Sequence, residues 1–272
     1  MSAAERRESV DLIKTFKQLK KEGKKITVVT SYDYWSAKIL NETNVSAILV
    51  GDCAAMVMHG NQNTTFADIE VLALHVRAVA RGAPDKFIIA AMPIFSLSKG
   101  IDEAIDNVKL LIQSGAQAVK IEGAIGNEAV ISAIVSAGIP VVGHVGLMPT
   151  RHYLIGGFKC QGRDEEDARQ IIEQAKKFEE LGAFAIVLEA VPKHLGARVC
   201  ASVEIPVIGI GAGIDCDGQA MVLQDMLGLL VGFKPKFVRR YLDGAKLIQE
   251  AINHFVTDVQ NQEYPSEIEC YN

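Results

Sequence analysis

The chain alternates short apolar runs with segments of helical spacing, and this alternation limits its fold more than any other feature. The apolar runs lie at residues 26–30, 47–50, 87–91, 118–121, 140–143, 184–188, 206–210 and 228–231. Helical spacing fills the segments between them, for example 102–114, 165–181 and 217–226. Runs that are apolar on both faces and separated by helices are typical of a parallel sheet. Eight such units in about 250 residues predict an α/β fold, the (β/α)8 barrel.

An open, doubly wound sheet is the alternative. That fold usually has fewer strands and begins with a nucleotide-binding turn, which Thr30-Ser31-Tyr32-Asp33 does not resemble. We therefore predict one barrel domain over residues 1–272. An amphipathic helix over 10–21 would cap the bottom of the barrel, the last helices would cover 236–259, and residues 1–9 and 261–272 would be flexible tails.

Composition excludes several classes of function. The net charge is −5 with both signs interspersed, so neither nucleic acid nor an anionic membrane is an expected partner. We expect neither a signal peptide nor a membrane-spanning helix, because the first residues are polar and no apolar run approaches membrane length. The five cysteines are scattered without zinc-binding spacing, which fits a reducing cytoplasm.

Lys120 and Glu122 stand two residues apart at the end of a predicted buried strand. Side chains at i and i+2 of a strand point to the same side, so the two charges should project together next to Gly123. Burying charges is costly unless each has a partner or a ligand. Taken alone, the pair fits a structural ion pair as well as a functional site.

Other predicted strands also end in ionisable residues. At the strand ends stand Tyr32, Asp33, Asp52, Lys120, Glu122, His144 and Glu189. In barrels of this kind the chemistry lies at the carboxyl ends of the strands, so this set favours a reaction site over isolated core pairs.

These residue types match one kind of chemistry. The carboxylates of Asp52 and Glu122 are oxygen ligands of the kind that bind Mg²⁺. Lys120 is a cation that could neutralise a substrate carboxylate or a developing enolate, and Glu189 closes an apolar strand, where it would transfer a proton. Together they predict enolate formation next to a carbonyl, as in an aldol or lyase reaction on a 2-oxo acid.

Some of these residues have simpler interpretations. Asp52 could cap the following helix, His144 could be a satisfied core histidine, and Cys53 has no histidine near it in sequence to form a catalytic dyad. The glycine cluster at 209–213 fits a phosphate loop or a tight turn equally well. The long connection at 145–162 is typical of a lid or a binding loop.

Short motifs run along almost the whole chain in a recognisable order. They lie at residues 30–34, 50–52, 81–84, 119–123, 143–147, 156–159, 161–163, 187–192, 205–213, 217–219 and 235–237. In content and order they resemble the ketopantoate hydroxymethyltransferase (3-methyl-2-oxobutanoate hydroxymethyltransferase) family. The resemblance implies a Mg²⁺-dependent barrel that moves a hydroxymethyl group from 5,10-methylenetetrahydrofolate onto 3-methyl-2-oxobutanoate, giving 2-dehydropantoate for pantothenate synthesis. It also implies a homo-oligomer, commonly a decamer.

The resemblance assigns a role to each strand-end residue already selected. Asp52 would bind both metal and substrate, and Glu122 would belong to the metal site. Lys120 would bind the acid group of the substrate, and Glu189 would be the catalytic proton acceptor.

The chain departs from the family at the metal site and beside it. Ala91 stands where the family has a second metal-binding aspartate, and Cys53 replaces a substrate-contacting serine. We therefore expect Mg²⁺ to bind weakly, helped by Asp68 or by water.

Three hypotheses follow. The chain is a working hydroxymethyltransferase with a looser metal site, a paralogue for another 2-oxo acid or another aldol or lyase step, or a non-catalytic homologue. Retention of Lys120, Glu122 and Glu189 favours 2-oxo-acid hydroxymethyl transfer. A Schiff base on Lys120 is the rival mechanism.

Overall fold

A computed structural model describes residues 12–232 and 234–271 of the chain, in which eight parallel strands close into a barrel. The strands are β1 Ile26–Thr30, β2 Ala47–Val50, β3 Phe87–Ala91, β4 Ala118–Glu122, β5 Val141–Gly146, β6 Ala185–Glu189, β7 Val207–Ile210 and β8 Gly218–Met221. Each strand pairs with its neighbours in sequence order, and β8 pairs with β1. The predicted (β/α)8 barrel is therefore confirmed.

Helices connect the strands from β1 to β7, β7 and β8 are joined without a helix, and further helices follow β8. The α-helices are α1 Leu12–Lys21, α2 Tyr34–Asn41, α3 Ala54–Val57, α4 Ile69–Gly82, α5 Ile101–Gln113, α6 Glu128–Ser136, α7 His152–Ile155, α8 Glu165–Glu180, α9 Lys193–Ser202, α10 Leu223–Met226 and α11 Gly244–Gln260. Short 3-10 turns lie at Thr64–Phe66, Ile94–Leu97, Pro149–Arg151 and Glu267–Glu269. No helix in the described ranges is long and apolar enough to cross a membrane.

Seven strands lie where the apolar runs predict them, and the eighth does not. The predicted run at 228–231 is not a strand, and β8 lies inside the segment predicted as a helix over 217–226. β8 consists of Gly218, Gln219, Ala220 and Met221, so it contains none of the β-branched or aromatic residues that strands favour, and Gln219 is exposed. Period-2 burial over only four residues is too short a pattern to outweigh the helical spacing around it.

The chain separates into two compact units, the first ending at Met221 and the second beginning at Val222. All eight strands and α1 to α9 belong to the first unit, and α10 and α11 belong to the second. The single domain over 1–272 and the flexible tail at 261–272 stay predictions. The predicted tail at 1–9 lies outside the described residues.

Helix α1 closes the amino end of the barrel, as its amphipathic pattern predicts. Phe16 is buried and makes edge-to-face contacts with Phe87 and Phe184, with ring centroids 5.9 and 5.7 Å apart. These two rings stand at the starts of β3 and β6, so the three aromatic side chains plug one end of the barrel interior. The opposite end, where the strands finish, is left for polar side chains.

Candidate active site

Five ionisable side chains gather at the carboxyl ends of four strands. Asp52 follows β2, Lys120 and Glu122 lie on β4, His144 lies on β5, and Glu189 ends β6. The first four are buried, and the Glu189 side chain is 16 % exposed. Because alternate residues of each strand face the barrel interior, Lys120 and Glu122 project to the same side, as their spacing predicts.

The Lys120 ammonium lies at the centre of this cluster. Its Nζ is 3.3 Å from Oε1 of Glu122, 3.7 Å from Oδ1 of Asp52 and 3.1 Å from Nδ1 of His144. Burial alone would lower the pKa of Lys120, but the adjacent Asp52 and Glu122 carboxylates outweigh it and raise that pKa. Lys120 therefore carries a fixed positive charge.

His144 joins the ammonium to Glu189. Its Nδ1 lies 3.2 Å from Oε1 of Glu122, and its Nε2 lies 3.3 Å from Oε2 of Glu189 without the alignment of a hydrogen bond. Burial and the Lys120 charge lower the pKa of His144, but Glu122, the nearby carboxylate, outweighs them and raises it. When neutral, Nδ1 can accept from Lys120, and when charged, it can donate to Glu122. In both states Nε2 faces Glu189.

Glu122 is saturated with donors. Its Oε2 accepts from the backbone N–H of Thr150 at 3.0 Å and from the Thr150 hydroxyl at 2.5 Å, while Oε1 faces Lys120 and His144. Burial would raise the pKa of Glu122, but Lys120, His144 and these hydrogen bonds lower it well below its usual range. Glu122 is an ionised anchor for the cluster, and both of its oxygens already face protein donors.

Asp52 is different because one of its oxygens is free. Its Oδ2 is buried, and no group in the described residues donates a hydrogen bond to it. Burial raises the pKa of Asp52 to about 6, and Lys120 only partly offsets this. Its side chain does not cap α3, whose N-terminal residue is preceded by Cys53. A buried carboxylate oxygen without a partner is suited to a cation or a substrate donor.

The donor set fits only a loosely held Mg²⁺. Within the described ranges no three His, Cys, Asp or Glu side chains converge to hold an ion. Asp52 offers one direct ligand, and Glu122 could act only through water. Mg²⁺ commonly binds through one or two carboxylates while keeping several waters, so this arrangement is sufficient for weak binding.

Ala91 lies beside Lys120 in the barrel wall. The two residues are paired in register between β3 and β4, and Ala91 is fully buried. Its methyl group contributes neither charge nor ligand. This explains why the cluster contains carboxylates from β2, β4 and β6 but none from β3.

Cys53 contacts Tyr32 at the edge of the site. The Tyr32 hydroxyl lies 2.8 Å from Sγ of Cys53. Burial, followed by the negative charge of Asp52, raises the pKa of Cys53 to about 12. The thiol is therefore protonated at neutral pH and is a poor nucleophile.

A close backbone approach holds Glu189 in place. Gly146 has a φ of +87°, and a Cβ added there would lie 2.4 Å from the carbonyl oxygen of Glu189. That same oxygen accepts a 2.8 Å hydrogen bond from the backbone N–H of Leu147. A glycine at the end of β5 is therefore required for β6 to present Glu189 beside His144.

Other candidates lie outside the cluster. Asp68 is exposed and caps α4, accepting from the backbone N–H groups of Glu70 and Val71 at 2.8 and 3.1 Å. The structure thus uses Asp68 as a helix cap and does not place it with the metal candidates. Asp33 similarly caps α2 through Ser36. His59 and His75 also lie outside the cluster, and their Nε2 atoms are 2.8 Å apart.

Sequence reasoning missed Thr150 and Arg151 in the turn after β5. Thr150 binds Glu122 directly, and the guanidinium of Arg151 lies over Gly123. Both fall in the connection at 145–162 that the sequence predicts to be a lid or a binding loop. The length of this connection was the only indication in the sequence that it belongs to the site, because its position over β4 depends on tertiary packing.

A separate cavity of about 800 Å³ opens at the other end of the barrel. It is lined by Lys17 and Lys20 of α1, by Pro140 just before β5 and by Phe184 just before β6, among others. It contains none of the predicted site residues.

The chain is similar in sequence to proteins of one known family. A sequence profile described as ketopantoate hydroxymethyltransferase matches residues 11–267. The chain is 47 % identical over 257 residues to the 3-methyl-2-oxobutanoate hydroxymethyltransferase of Bdellovibrio bacteriovorus, covering 94 % of this chain and 98 % of that protein. It is 47 % identical over 258 residues to the enzyme of the same name from Coxiella burnetii, covering 94 % and 97 %.

Among solved structures, a phosphonopyruvate hydrolase in complex with oxalate and Mg²⁺ has a similar fold. The TM-score is 0.61 at 12 % sequence identity, covering 95 % of this chain and 93 % of that one. At this identity the likeness concerns the barrel alone.

Proposed function

The chain belongs to the ketopantoate hydroxymethyltransferase family, a family of transferases, and we propose that it moves a one-carbon unit from 5,10-methylenetetrahydrofolate to a 2-oxo acid such as 3-methyl-2-oxobutanoate. The product would be 2-dehydropantoate, a precursor in pantothenate biosynthesis. One observation carries the proposal: a buried ammonium, Lys120, lies between Asp52 and Glu122, with His144 leading from it to Glu189.

Each side chain has a role in the proposed reaction. Lys120 offsets the negative charge of the bound 2-oxo acid and of its enolate. Glu122 holds Lys120 and His144 in place through its four contacts. Water adds to the methylene carbon of the folate and both of its C–N bonds break, which releases tetrahydrofolate and a formaldehyde unit. The proton beside the carbonyl of the 2-oxo acid is removed, and the resulting carbanion adds to the carbonyl carbon of formaldehyde. Glu189 handles the proton transfer, and the new alkoxide takes up a proton to become the hydroxyl group.

Mg²⁺ is part of the proposal as a weakly bound cofactor. Asp52 would hold it directly through Oδ2, and Glu122 would contact it through water. When bound, the ion supplies positive charge beside the carbonyl oxygen where the enolate develops. Asp52 and Cys53 would also contact the substrate.

The fully buried Ala91 supports a second candidate within the same class. Without a carboxylate on β3, the site has a smaller and more apolar wall, which suits a paralogue specialised for another 2-oxo acid or another aldol or lyase step. A non-catalytic homologue is the third hypothesis.

One assay separates the three. The protein is incubated with 3-methyl-2-oxobutanoate, methylenetetrahydrofolate and Mg²⁺, and 2-dehydropantoate is measured. Product formation supports the main proposal. Deuterium exchange beside the carbonyl of a different 2-oxo acid, without product, supports the paralogue. Neither turnover nor exchange supports the non-catalytic homologue and contradicts the proposal.

We also propose a homo-oligomer acting in the cytoplasm, with a decamer as the expected form. Taken by itself, the second unit exposes a set of apolar side chains on α11, each at least 42 % exposed: Leu247, Ile248, Ile252, Phe255, Val256 and Val259. Such a set is suited to burial against another copy of the chain. All five cysteines are free thiols, which suits a reducing compartment. Light scattering coupled to size-exclusion chromatography measures the oligomeric state.

A further inference from the structure

Arg151 lies directly above the strand end that carries Glu122. It closes the 3-10 turn Pro149–Arg151 that follows β5. A Cβ added to Gly123, the residue after Glu122, would lie 2.8 Å from Nη2 and 3.4 Å from Cζ of Arg151. The guanidinium therefore covers Gly123 at the mouth of the candidate active site.

The turn that carries Arg151 is fixed to the site. The preceding residue, Thr150, gives both its backbone N–H and its hydroxyl to Glu122. The backbone N–H of Arg151 donates to the carbonyl oxygen of Met148 at 2.9 Å. The 3-10 turn Thr64–Phe66 packs against the 3-10 turn Pro149–Arg151. The position of the guanidinium is thus tied to the position of Glu122.

The guanidinium itself has no protein partner among residues 12–232 and 234–271. No carboxylate lies within ion-pair distance of it, and no carbonyl accepts from it. Yet Arg151 is only partly exposed, and arginine carries five donors that are always charged. A partly buried arginine without an acceptor, at the mouth of a site for anions, is suited to bind an anionic ligand.

The charge of the cluster explains why a second cation is needed. Asp52, Glu122 and Glu189 bring three carboxylates, and Lys120 already lies between two of them. A 2-oxo acid adds another negative charge, and the proposed folate donor carries carboxylates of its own. Lys120 is the one permanently charged cation among the five side chains of the cluster, and Ala91 adds no metal ligand.

We propose that Arg151 binds a carboxylate of the substrate that occupies the space above Glu122 and Gly123. This inference rests on the proposed function, which supplies two carboxylate sources: the acid group of the 2-oxo acid and the glutamate tail of the folate. The planar fork of the guanidinium matches a carboxylate in a two-hydrogen-bond geometry. Arg151 would thereby determine which acids bind.

Equilibrium binding tests the proposal without requiring turnover. Dissociation constants for 3-methyl-2-oxobutanoate, tetrahydrofolate and tetrahydropteroate, which lacks the glutamate, are measured by calorimetry for the wild type and for Arg151→Met. The same constants are measured for Arg151→Lys, which keeps the positive charge but lacks the planar guanidinium. Arg169→Met is the matched control, because Arg169 is exposed on α8 and pairs with Glu166. Thermal unfolding verifies that all variants fold.

We expect Arg151→Met to weaken binding of one carboxylate ligand about 10- to 100-fold, with partial recovery in Arg151→Lys and no change in Arg169→Met. Weaker binding of the 2-oxo acid identifies the acceptor carboxylate. Weaker binding of tetrahydrofolate, with tetrahydropteroate unchanged, identifies the glutamate tail. Unchanged constants for both carboxylate ligands would overturn the inference.

The same data separate this inference from the proposed function. Arginine-dependent binding without product formation supports the Arg151 site and contradicts the hydroxymethyltransferase. Full turnover by Arg151→Met at unchanged KM values supports the transferase and overturns the Arg151 site. A wild-type protein that binds none of the three ligands overturns both.

Discussion

Ala91 on β3 is the register partner of Lys120 on β4, so the strand position beside the central lysine of the site carries only a methyl group. In a parallel pair, residues in register point to the same face, and here that face is the barrel interior. A carboxylate at position 91 would be placed beside Asp52 and Lys120, where the family resemblance implies a second metal ligand. The substitution therefore changes the ligand set without changing the strand.

Ala91→Asp should increase the affinity for Mg²⁺ about tenfold or more, because it adds a second direct oxygen ligand. Without metal the variant should be less stable than the wild type, since it buries another carboxylate. Calorimetric titration with Mg²⁺ and thermal unfolding with and without EDTA measure the two effects. Ala91→Asn, of equal size without charge, is the control. Equal metal affinity in both variants would contradict our account of Ala91.

Thr150→Val removes a hydroxyl from Glu122 while keeping side-chain shape and the backbone hydrogen bond. We expect a loss of about 1 to 2 kcal/mol in the free energy of unfolding at neutral pH, because a charged acceptor loses a donor. Thr150→Ser keeps the hydroxyl and should retain most of the stability. Urea denaturation of both variants measures this difference, and equal losses would show that the hydroxyl is unimportant.

The contribution of Glu122 to the free energy of unfolding depends on pH. The pKa of Glu122 is lower in the folded protein than its ordinary value of 4.5, so its stabilising contribution is present above that value and is lost as the pH falls below it. Loss of the Thr150 hydroxyl moves the pKa of Glu122 back toward 4.5. Thr150→Val should therefore lose less stability than the wild type as the pH falls from 4.5 toward the lowered pKa of Glu122.

The strands could be predicted from sequence wherever burial on both faces leaves an uninterrupted apolar run. β3 and β6 are of this kind, and the position of Lys120 and Glu122 on one face follows directly from strand geometry. β8 could not be predicted, because Gly218–Met221 contains no β-branched or aromatic residue and therefore has no strand-like apolar run.

The site could be predicted where its residues end strands, and not where a loop folds back over them. Asp52, His144 and Glu189 stand at or near strand ends that the apolar runs reveal. Thr150 reaches Glu122 from 28 residues away through a turn after β5, and no local pattern encodes that contact. Long-range contacts of this kind depend on how the whole barrel closes.

Cys53 should resist alkylation. With its pKa raised to about 12 by burial and by Asp52, only about one thiol in ten thousand is ionised at pH 8. Iodoacetamide labelling followed by peptide mass spectrometry should therefore modify the exposed Cys270 at least about 100-fold faster than Cys53. Comparable labelling rates at the two positions would show that the thiol is not held as the structure indicates.

Lys120 should not form a Schiff base. Imine formation needs a neutral amine, whereas Asp52 and Glu122 raise the pKa of Lys120 and keep it charged at neutral pH. Borohydride reduction in the presence of 3-methyl-2-oxobutanoate should leave the Lys120 peptide at its unmodified mass, with a lysine-dependent aldolase as the positive control. A reduced adduct on Lys120 would favour the rival mechanism over enolate chemistry.

Asp52→Asn should stabilise the metal-free protein at alkaline pH. Burial raises the pKa of Asp52 from 3.8 to about 6, so its contribution to stability is greatest below 3.8 and is lost as the pH rises through 6. In EDTA at about pH 8, the free energy of unfolding of the variant should be roughly 1 to 3 kcal/mol higher than that of the wild type. At about pH 4 the two proteins should have the same free energy of unfolding. Urea denaturation at both pH values measures this.

Mg²⁺ should stabilise the wild type but not Asp52→Asn. A cation on the free Oδ2 of Asp52 removes the cost of burying that charge, so the wild type should gain stability as Mg²⁺ is added while Asp52→Asn gains none. The order of stability at about pH 8 then reverses at high Mg²⁺ concentration. An equal response of both proteins to Mg²⁺ would place the ion elsewhere and would remove Asp52 from the proposed metal site.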